Sequence, residues 1–350
     1  MSDNERVLNE LGCYLLAGAA SEGPATLMHD ARKGEELGFG TGFFAERWNY
    51  KEAGAQSGAA CAVTARMHIG TAATNFNTRH PLITGAMAAT CHRLSGGRFI
   101  LGLGRGVPQY SVFGISDATT AQLEDFAHVM RRLWKGEIIA GHDGPTGKYD
   151  FLMLDPDFDE DIPLGLVAFG RKTLALGGRA FDNVILHTYF TPETLQRCVR
   201  TVKQAAEQAG RDPDSVRVWS CLATIGDHLP EEVRLKKTVA RLATYLRAYG
   251  DLLVRTNHWD PAVLERFRAD SVVTSVPGAI DAKATREQIE HVATLLPDEW
   301  LAASATGSPE QCASRVRQEL EYGADCVITH GATPDQLAPV IAAYRAAETA

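Results

Sequence analysis

Eight times along the chain a short apolar run gives way to a longer stretch with helical periodicity, and this alternation constrains the fold more than any other feature. The apolar runs fall at about 11–17, 42–45, 68–73, 99–103, 164–169, 184–187, 216–224 and 326–329. Helical patterns lie at about 24–37, 53–66, 82–95, 119–135, 171–180, 192–209, 230–249 and 309–322, with a last one at 334–347. Strands that alternate with helices pair in parallel, because each helix carries the chain back to the start of the next strand. Eight such units predict an α/β fold, a (β/α)8 TIM barrel with insertions, over an open doubly wound sheet.

The helix starts carry their own chemistry. Thr191-Pro192-Glu193 supplies a capping hydroxyl, a proline where a missing N–H costs nothing, and an acid at the positive helix end. Ser308-Pro309-Glu310-Gln311 and Thr333-Pro334-Asp335-Gln336 repeat the pattern and add a glutamine able to reach back to the cap. Gly210 and Gly323 stand where helices end and a left-handed residue is needed. Two stretches exceed the bare repeat: about 137–162, with turn signals and a hairpin pattern, and about 250–306, read as extra helices and loops. With no low-complexity linker between them, residues 1–350 are expected to form a single barrel domain.

Composition narrows the function classes. Lys plus Arg number 35 against 43 Asp plus Glu, a net charge of −8 that argues against a nucleic-acid partner or a polybasic membrane surface. No apolar run is long enough to span a membrane, and the opening MSDNERVLNELG has neither the basic nor the apolar segment of a secretory leader. The seven cysteines include no C-x-x-C pair and read as buried hydrophobes in a reducing compartment, with no zinc site. A cytoplasmic location is expected.

In a (β/α)8 barrel the chemistry sits at the C-terminal ends of the strands, so the residues just beyond each apolar run are the informative ones. They form a polar set: Glu46-Arg47-Trp48-Asn49-Tyr50, the run Thr74 to Pro81, Gly104-Arg105-Gly106, Gly170-Arg171-Lys172-Thr173, His187-Thr188-Tyr189 and Thr329-His330-Gly331. Gly102-Leu103-Gly104-Arg105-Gly106-Val107 has the look of a dinucleotide fingerprint, yet Pro108 and a loop follow it instead of a helix. It reads better as a barrel strand of small residues ending in an arginine. Gly170-Arg171-Lys172-Thr173 opens a helix, and backbone N–H groups, a hydroxyl and two cations there suit a phosphate. Glu46, His187 and His330 are the candidates for proton transfer. Arg47 is expected to hold Glu46 ionised, and Trp48, Tyr50, Phe76, Tyr110 and Tyr189 to line an apolar pocket.

Several runs resemble a known family: Gly38-Phe39 through Glu46, GTAATNFNTRHP, HRLSGGRFILGLGRG and LEDFAHVMRRLWKGE. Together they resemble the luciferase-like monooxygenase superfamily, in the branch that uses the deazaflavin coenzyme F420, over about residues 10–345. The resemblance implies a flavin or deazaflavin at the strand C-termini and homodimers packed through barrel helices. It places the tricyclic ring against a bulge at Ala72-Ala73-Thr74, often with a non-prolyl cis peptide, and Asn75 at the ring edge. It maps the phosphate contacts to Gly170, Arg171 and Lys172, with Arg105 as a second cation; Thr173 and Gly106 complete the expected cofactor-binding set. The sugar-phosphate dehydrogenases of this branch carry an acid followed by His after the second strand and a Glu after the fourth. Glu46-Arg47 and Val107 stand at those places here, so neither that machinery nor that substrate is implied.

The expected activity is hydride transfer between coenzyme F420 and a small organic substrate, uncharged or weakly polar, with the protein supplying position, anchor and proton transfer. The alternative is an FMN-dependent luciferase-like monooxygenase that shields reduced flavin and O2 from water. A flavin-binding protein without activity is a third class, against which the filled set of strand-end polar residues argues.

Overall fold

A computed structural model describes residues 6–16, 24–47, 50–106 and 109–347, the last without the side chains of Gln109 and Tyr110. The strands are β1 (Leu8–Tyr14), β2 (Phe39–Phe44), β3 (His68–Thr71), β4 (Phe99–Leu103), β5 (Ile139–Gly144), β6 (Gly147–Leu152), β7 (Leu164–Val167), β8 (Asn183–Ile185), β9 (Arg217–Gly226), β10 (Ala305–Gly307) and β11 (Cys326–His330). β1, β2, β3, β4, β7, β8, β9 and β11 pair in parallel in that order, and β11 pairs back onto β1 to close the barrel. This is the expected (β/α)8 architecture.

The barrel is filled, and the sequence shows how. Phe43, Ile185, Trp219, Cys326 and Ile328 form one buried cluster inside it. The Phe43 and Trp219 rings meet edge to face at 5.0 Å, and the Trp219 indole donates to Asn183 Oδ1 at 3.0 Å. Glycines make the room: a Cβ on Gly70 would lie 2.7 Å from the Phe43 ring, and one on Gly12 3.2 Å from that of Trp219. Tyr14, Ala72, Val167 and Cys221 rest on this cluster. Each lies two residues beyond an interior position of its strand, one layer nearer the C-terminal mouth.

Outside, the two halves of the barrel carry separate apolar clusters. One packs the helices of the first strands around Leu123, Phe126, Met130 and Trp134. The other gathers the extra helices of the second half on Val239–Asn257, with Trp259 and Trp300 stacked at 4.5 Å. β5 and β6 form the antiparallel hairpin expected near 137–162. Its tip is tied to the helix Thr120–Trp134 through Asp125, which accepts from Thr146 N at 2.9 Å and lies 3.1 Å from His142 Nε2.

Helix boundaries follow the capping chemistry closely. Thr191, Ser308 and Thr333 each cap a helix with their hydroxyls, the latter two in reciprocal boxes with Gln311 and Gln336. Gly210 and Gly323 adopt φ of 72° and 102°. Two expectations need correction. The pattern at 230–249 is two helices, Glu231–Lys237 and Val239–Asn257, broken at Thr238 and running past 249. The extra segment also contains a strand, β10, which pairs with the end of β9 and was not foreseen.

Candidate functional site

The corner where β3 ends is built from small residues and held on three sides. The peptide bond between Ala72 and Ala73 is cis. Ala72 N donates to Phe44 O at 2.7 Å, and Ala73 O accepts from Glu46 N at 3.1 Å. Thr74 then joins β4, donating to Gly102 O and accepting from Gly104 N. The Tyr14 hydroxyl donates to Ala72 O at 2.7 Å. Gly102 is obligatory, because a Cβ there would stand 1.8 Å from Thr71 O. A Cβ on Gly104 would meet that of Ala73 at 3.1 Å. Methyls and bare backbone thus give a flat, shallow surface on which a planar ring system can lie.

Beside this corner Glu46 is the centre of an ion-pair network. Its carboxylate accepts from Thr74 Oγ1 at 2.6 Å, from Asn75 Nδ2 at 3.1 Å and from the Arg79 guanidinium, which also reaches Glu52 at 2.6 Å. The Glu46 and Arg79 side chains are 8% and 14% exposed, so the pair is largely desolvated. Burial opposes the charge on Arg79, but Glu46 and Glu52 outweigh it and raise the guanidinium above its ordinary value. The expected partner, Arg47, is exposed and meets Lys51 only through backbone hydrogen bonds. Arg79 was missed because it stands 33 residues away, yet the register that pairs Phe44 with Thr71 brings the two strand ends together. Both carboxylate oxygens of Glu46 are thus engaged by Thr74, Asn75 and Arg79. Asn75, buried, also accepts from Thr78 N at 3.0 Å.

Across the mouth stand His187 and His330, two residues beyond Ile185 and Ile328 of the interior cluster. His187 lies among Phe169, Tyr245 and Tyr249, ring centroids 4.8, 4.8 and 5.1 Å away. Its Nδ1 is 3.0 Å from Thr188 O and its Nε2 2.7 Å from the Tyr249 hydroxyl. Burial pushes its pKa down to about 4, so the ring is neutral at physiological pH. A carbonyl only accepts; Nδ1 therefore carries the proton and bare Nε2 accepts from Tyr249. His330 packs edge-on against Tyr14 at 4.7 Å and has no hydrogen-bond partner among the described residues. Burial first, then the charge of Arg241 with those of Lys237 and Arg47, holds it well below the usual imidazole range.

The phosphate-type element sits on the neighbouring rim. Gly170 precedes the helix Arg171–Ala180 without a side-chain cap, Thr173 is buried, and Arg171 and Lys172 are exposed with no ion pair among the described residues. Arg105, at the end of adjacent β4, is less free: its Nε donates to Ala118 O at 2.7 Å, and Gly106 follows with φ 118°. The expected aromatic pocket is largely a different one. Phe76 stacks on Phe126 within the core, Tyr189 is fully buried with its hydroxyl on Thr238 O, and Tyr50 is exposed. Trp48 and Val107 lie outside the described residues, as does the Tyr110 side chain. Tyr14, Phe169, Tyr245 and Tyr249 take their place at the mouth. Phe169 closes an apolar run and could have been read from it, whereas Tyr245 and Tyr249 come from a helix that sequence periodicity treats as ordinary.

Comparison with known proteins adds the following. The family model for luciferase-like monooxygenases matches residues 7–326. A 5,10-methylenetetrahydromethanopterin reductase of Methanolobus tindarius is 26% identical over 308 residues, covering 86% of this chain and 89% of that protein. The solved coenzyme F420 dependent tetrahydromethanopterin reductase from Methanopyrus kandleri superposes with a TM-score of 0.77 at 19% identity, covering 96% of this chain and 97% of that one. An F420-dependent secondary alcohol dehydrogenase, solved with an F420–acetone adduct, does so with a TM-score of 0.69 at 19% identity, covering 96% and 98%.

Proposed function

Because the chain belongs to the luciferase-like monooxygenase family, we propose that it is an oxidoreductase moving hydride between coenzyme F420 and a small organic substrate. The observation that carries this reading is the pairing of a flat surface at Ala72, Ala73 and Gly104 with the unspent cations Arg171 and Lys172 on the same mouth. A planar ring with a phosphate-bearing tail needs both. The names of the reductase and dehydrogenase relatives support F420 in that role.

The residues fit such a group. Ala72, Ala73 and Thr74 would back the ring, and Asn75, fixed by Glu46, would meet its edge. Backbone N–H groups and side chains of Gly170, Arg171, Lys172 and Thr173 would hold the phosphate, with Arg105 and Gly106 beside them. Bound there, the deazaflavin supplies the two-electron hydride step. Glu46 keeps the ring-edge residues in place, and its ion pair with Arg79 removes it from proton transfer. The proton falls to the opposite wall, where His187 and His330 are neutral and able to accept one. The aromatic rings around His187 keep water from the reacting atoms.

We further read the protein as a cytoplasmic homodimer. Its seven free cysteines suit a reducing compartment, and Ile83, Leu94 and Phe151 are exposed apolar side chains for a partner copy to cover. No helix among the described residues is long and apolar enough to cross a membrane.

Titration of the purified protein with F420, FMN and NADPH, followed by fluorescence, tests the cofactor. F420 is expected to bind most tightly. Micromolar or better FMN affinity with no F420 binding would replace this reading with the flavin monooxygenase one.

A further inference from the structure

The helix Val239–Asn257 kinks at Tyr249, which has φ −152° and ψ 37°. Gly250 follows, packed so closely that a Cβ there would lie 2.7 Å from Leu264. The kink brings Tyr249 over the barrel mouth, its hydroxyl 2.7 Å from His187 Nε2 and its ring stacked on Tyr245 at 5.5 Å. Tyr249 is half-buried, and its contacts with His187 and with Phe169, ring centroids 5.9 Å apart, set it over the C-terminal end of the barrel rather than in bulk solvent.

Both nitrogens of His187 are occupied, one by Thr188 O and one by Tyr249. The histidine consequently has no ring nitrogen free to touch a substrate. Tyr249 has one: its oxygen spends its single proton on His187 and keeps lone pairs for another donor. We propose that the Tyr249 hydroxyl is the catalytic group that takes the proton from a substrate hydroxyl while passing its own proton to His187 Nε2, so that the substrate class is an alcohol and its carbonyl product. This rests on the F420 reading above.

In the oxidative direction the substrate O–H bond breaks and its proton joins Tyr249. The Tyr249 O–H bond breaks in turn and its proton joins His187, leaving the tyrosine neutral and the imidazole protonated. The substrate C–H electron pair leaves as hydride to oxidised F420, and the C=O bond forms. Carbonyl reduction runs the same steps in reverse. The resting arrangement, with Nε2 bare, is set for accepting a proton. His187 acts through Tyr249 and is a positioning residue and proton store.

Three measurements test this. Nitrogen NMR of the histidine rings in the cofactor-free protein should show His187 with its proton on Nδ1; a proton on Nε2 would overturn the relay whatever the cofactor proves to be. F420 turnover is then followed with a panel of primary and secondary alcohols, propan-2-ol included. Tyr249→Phe, which keeps the ring, should lower kcat by roughly 100-fold or more while F420 affinity holds. The proton inventory in mixed H2O and D2O should be curved for the native protein, as two moving protons require. Unchanged kcat in Tyr249→Phe, a linear native inventory, or F420 binding without oxidation of any alcohol would each overturn the proposal. Failure of the native protein to bind F420 would instead sink the cofactor reading. If Tyr249→Phe does not fold, His187→Gln should give a comparable kcat loss with F420 affinity unchanged, and full kcat there has the same overturning force.

Discussion

Glu46 accepts hydrogen bonds from Thr74, Asn75 and Arg79, so its removal acts through all three. In Glu46→Gln an amide N–H2 faces donors, and the largely buried Arg79 keeps, as its one carboxylate among the described residues, the more exposed Glu52. A stability loss of ~1–3 kcal/mol in urea denaturation is expected, together with weaker F420 binding as Asn75 loosens. Glu52→Gln should cost less, because that carboxylate is 56% exposed. The two mouth histidines set a pH dependence. An unfolded chain protonates them as pH falls through 6.5, whereas the folded protein protonates His187 only near pH 4. The groups packed around His187 are Tyr245, Tyr249 and Phe169; His330 faces Tyr14, Arg241, Lys237 and Arg47. Their neutral burial contributes stability that is full above pH 6.5 and is lost as pH falls toward 4. Melting temperature should decline across that window, and His187→Gln should decline less than the native protein.

Elements decide where the proposed cofactor would be held. Arg171 and Lys172 project from the first turn of one helix and engage no carboxylate among the described residues. Changing both to Ala should weaken F420 binding by ~2–4 kcal/mol in a fluorescence titration, with melting temperature nearly constant. An unaltered affinity would move the phosphate contact to Arg105. Elements were also where the sequence was most legible. Thr191, Ser308 and Thr333 marked helix starts because capping is local chemistry, and the strand ends marked the mouth because barrel geometry fixes which end is functional. β10 escaped because Ala305-Thr306-Gly307 has no pattern of its own and is a strand only through its pairing with β9. Tyr249 escaped because the kink there, φ −152° and ψ 37°, leaves no periodic trace in the sequence. The Glu46–Arg79 pair escaped because strand register, which local sequence does not state, joins them.

Across the whole molecule, closure of the barrel depends on backbones approaching where side chains would forbid it. Gly102→Ala would push a methyl into Thr71 O and part β3 from β4, so a loss of about 3 kcal/mol or more is expected in denaturant melts. Gly58→Ala, in the helix Ala53–Val63 with open space around it, should stabilise by ~0.5–1 kcal/mol and serves as the contrast. The interior rings of Phe43 and Trp219 have a consequence for traffic. They seal the base of the barrel, so the mouth is both entrance and exit. Whatever settles deepest cannot leave while something lies over it. Arrival and departure at the proposed site would become a queue, in which a molecule resting on Ala72 and Ala73 would be the first admitted and the last released.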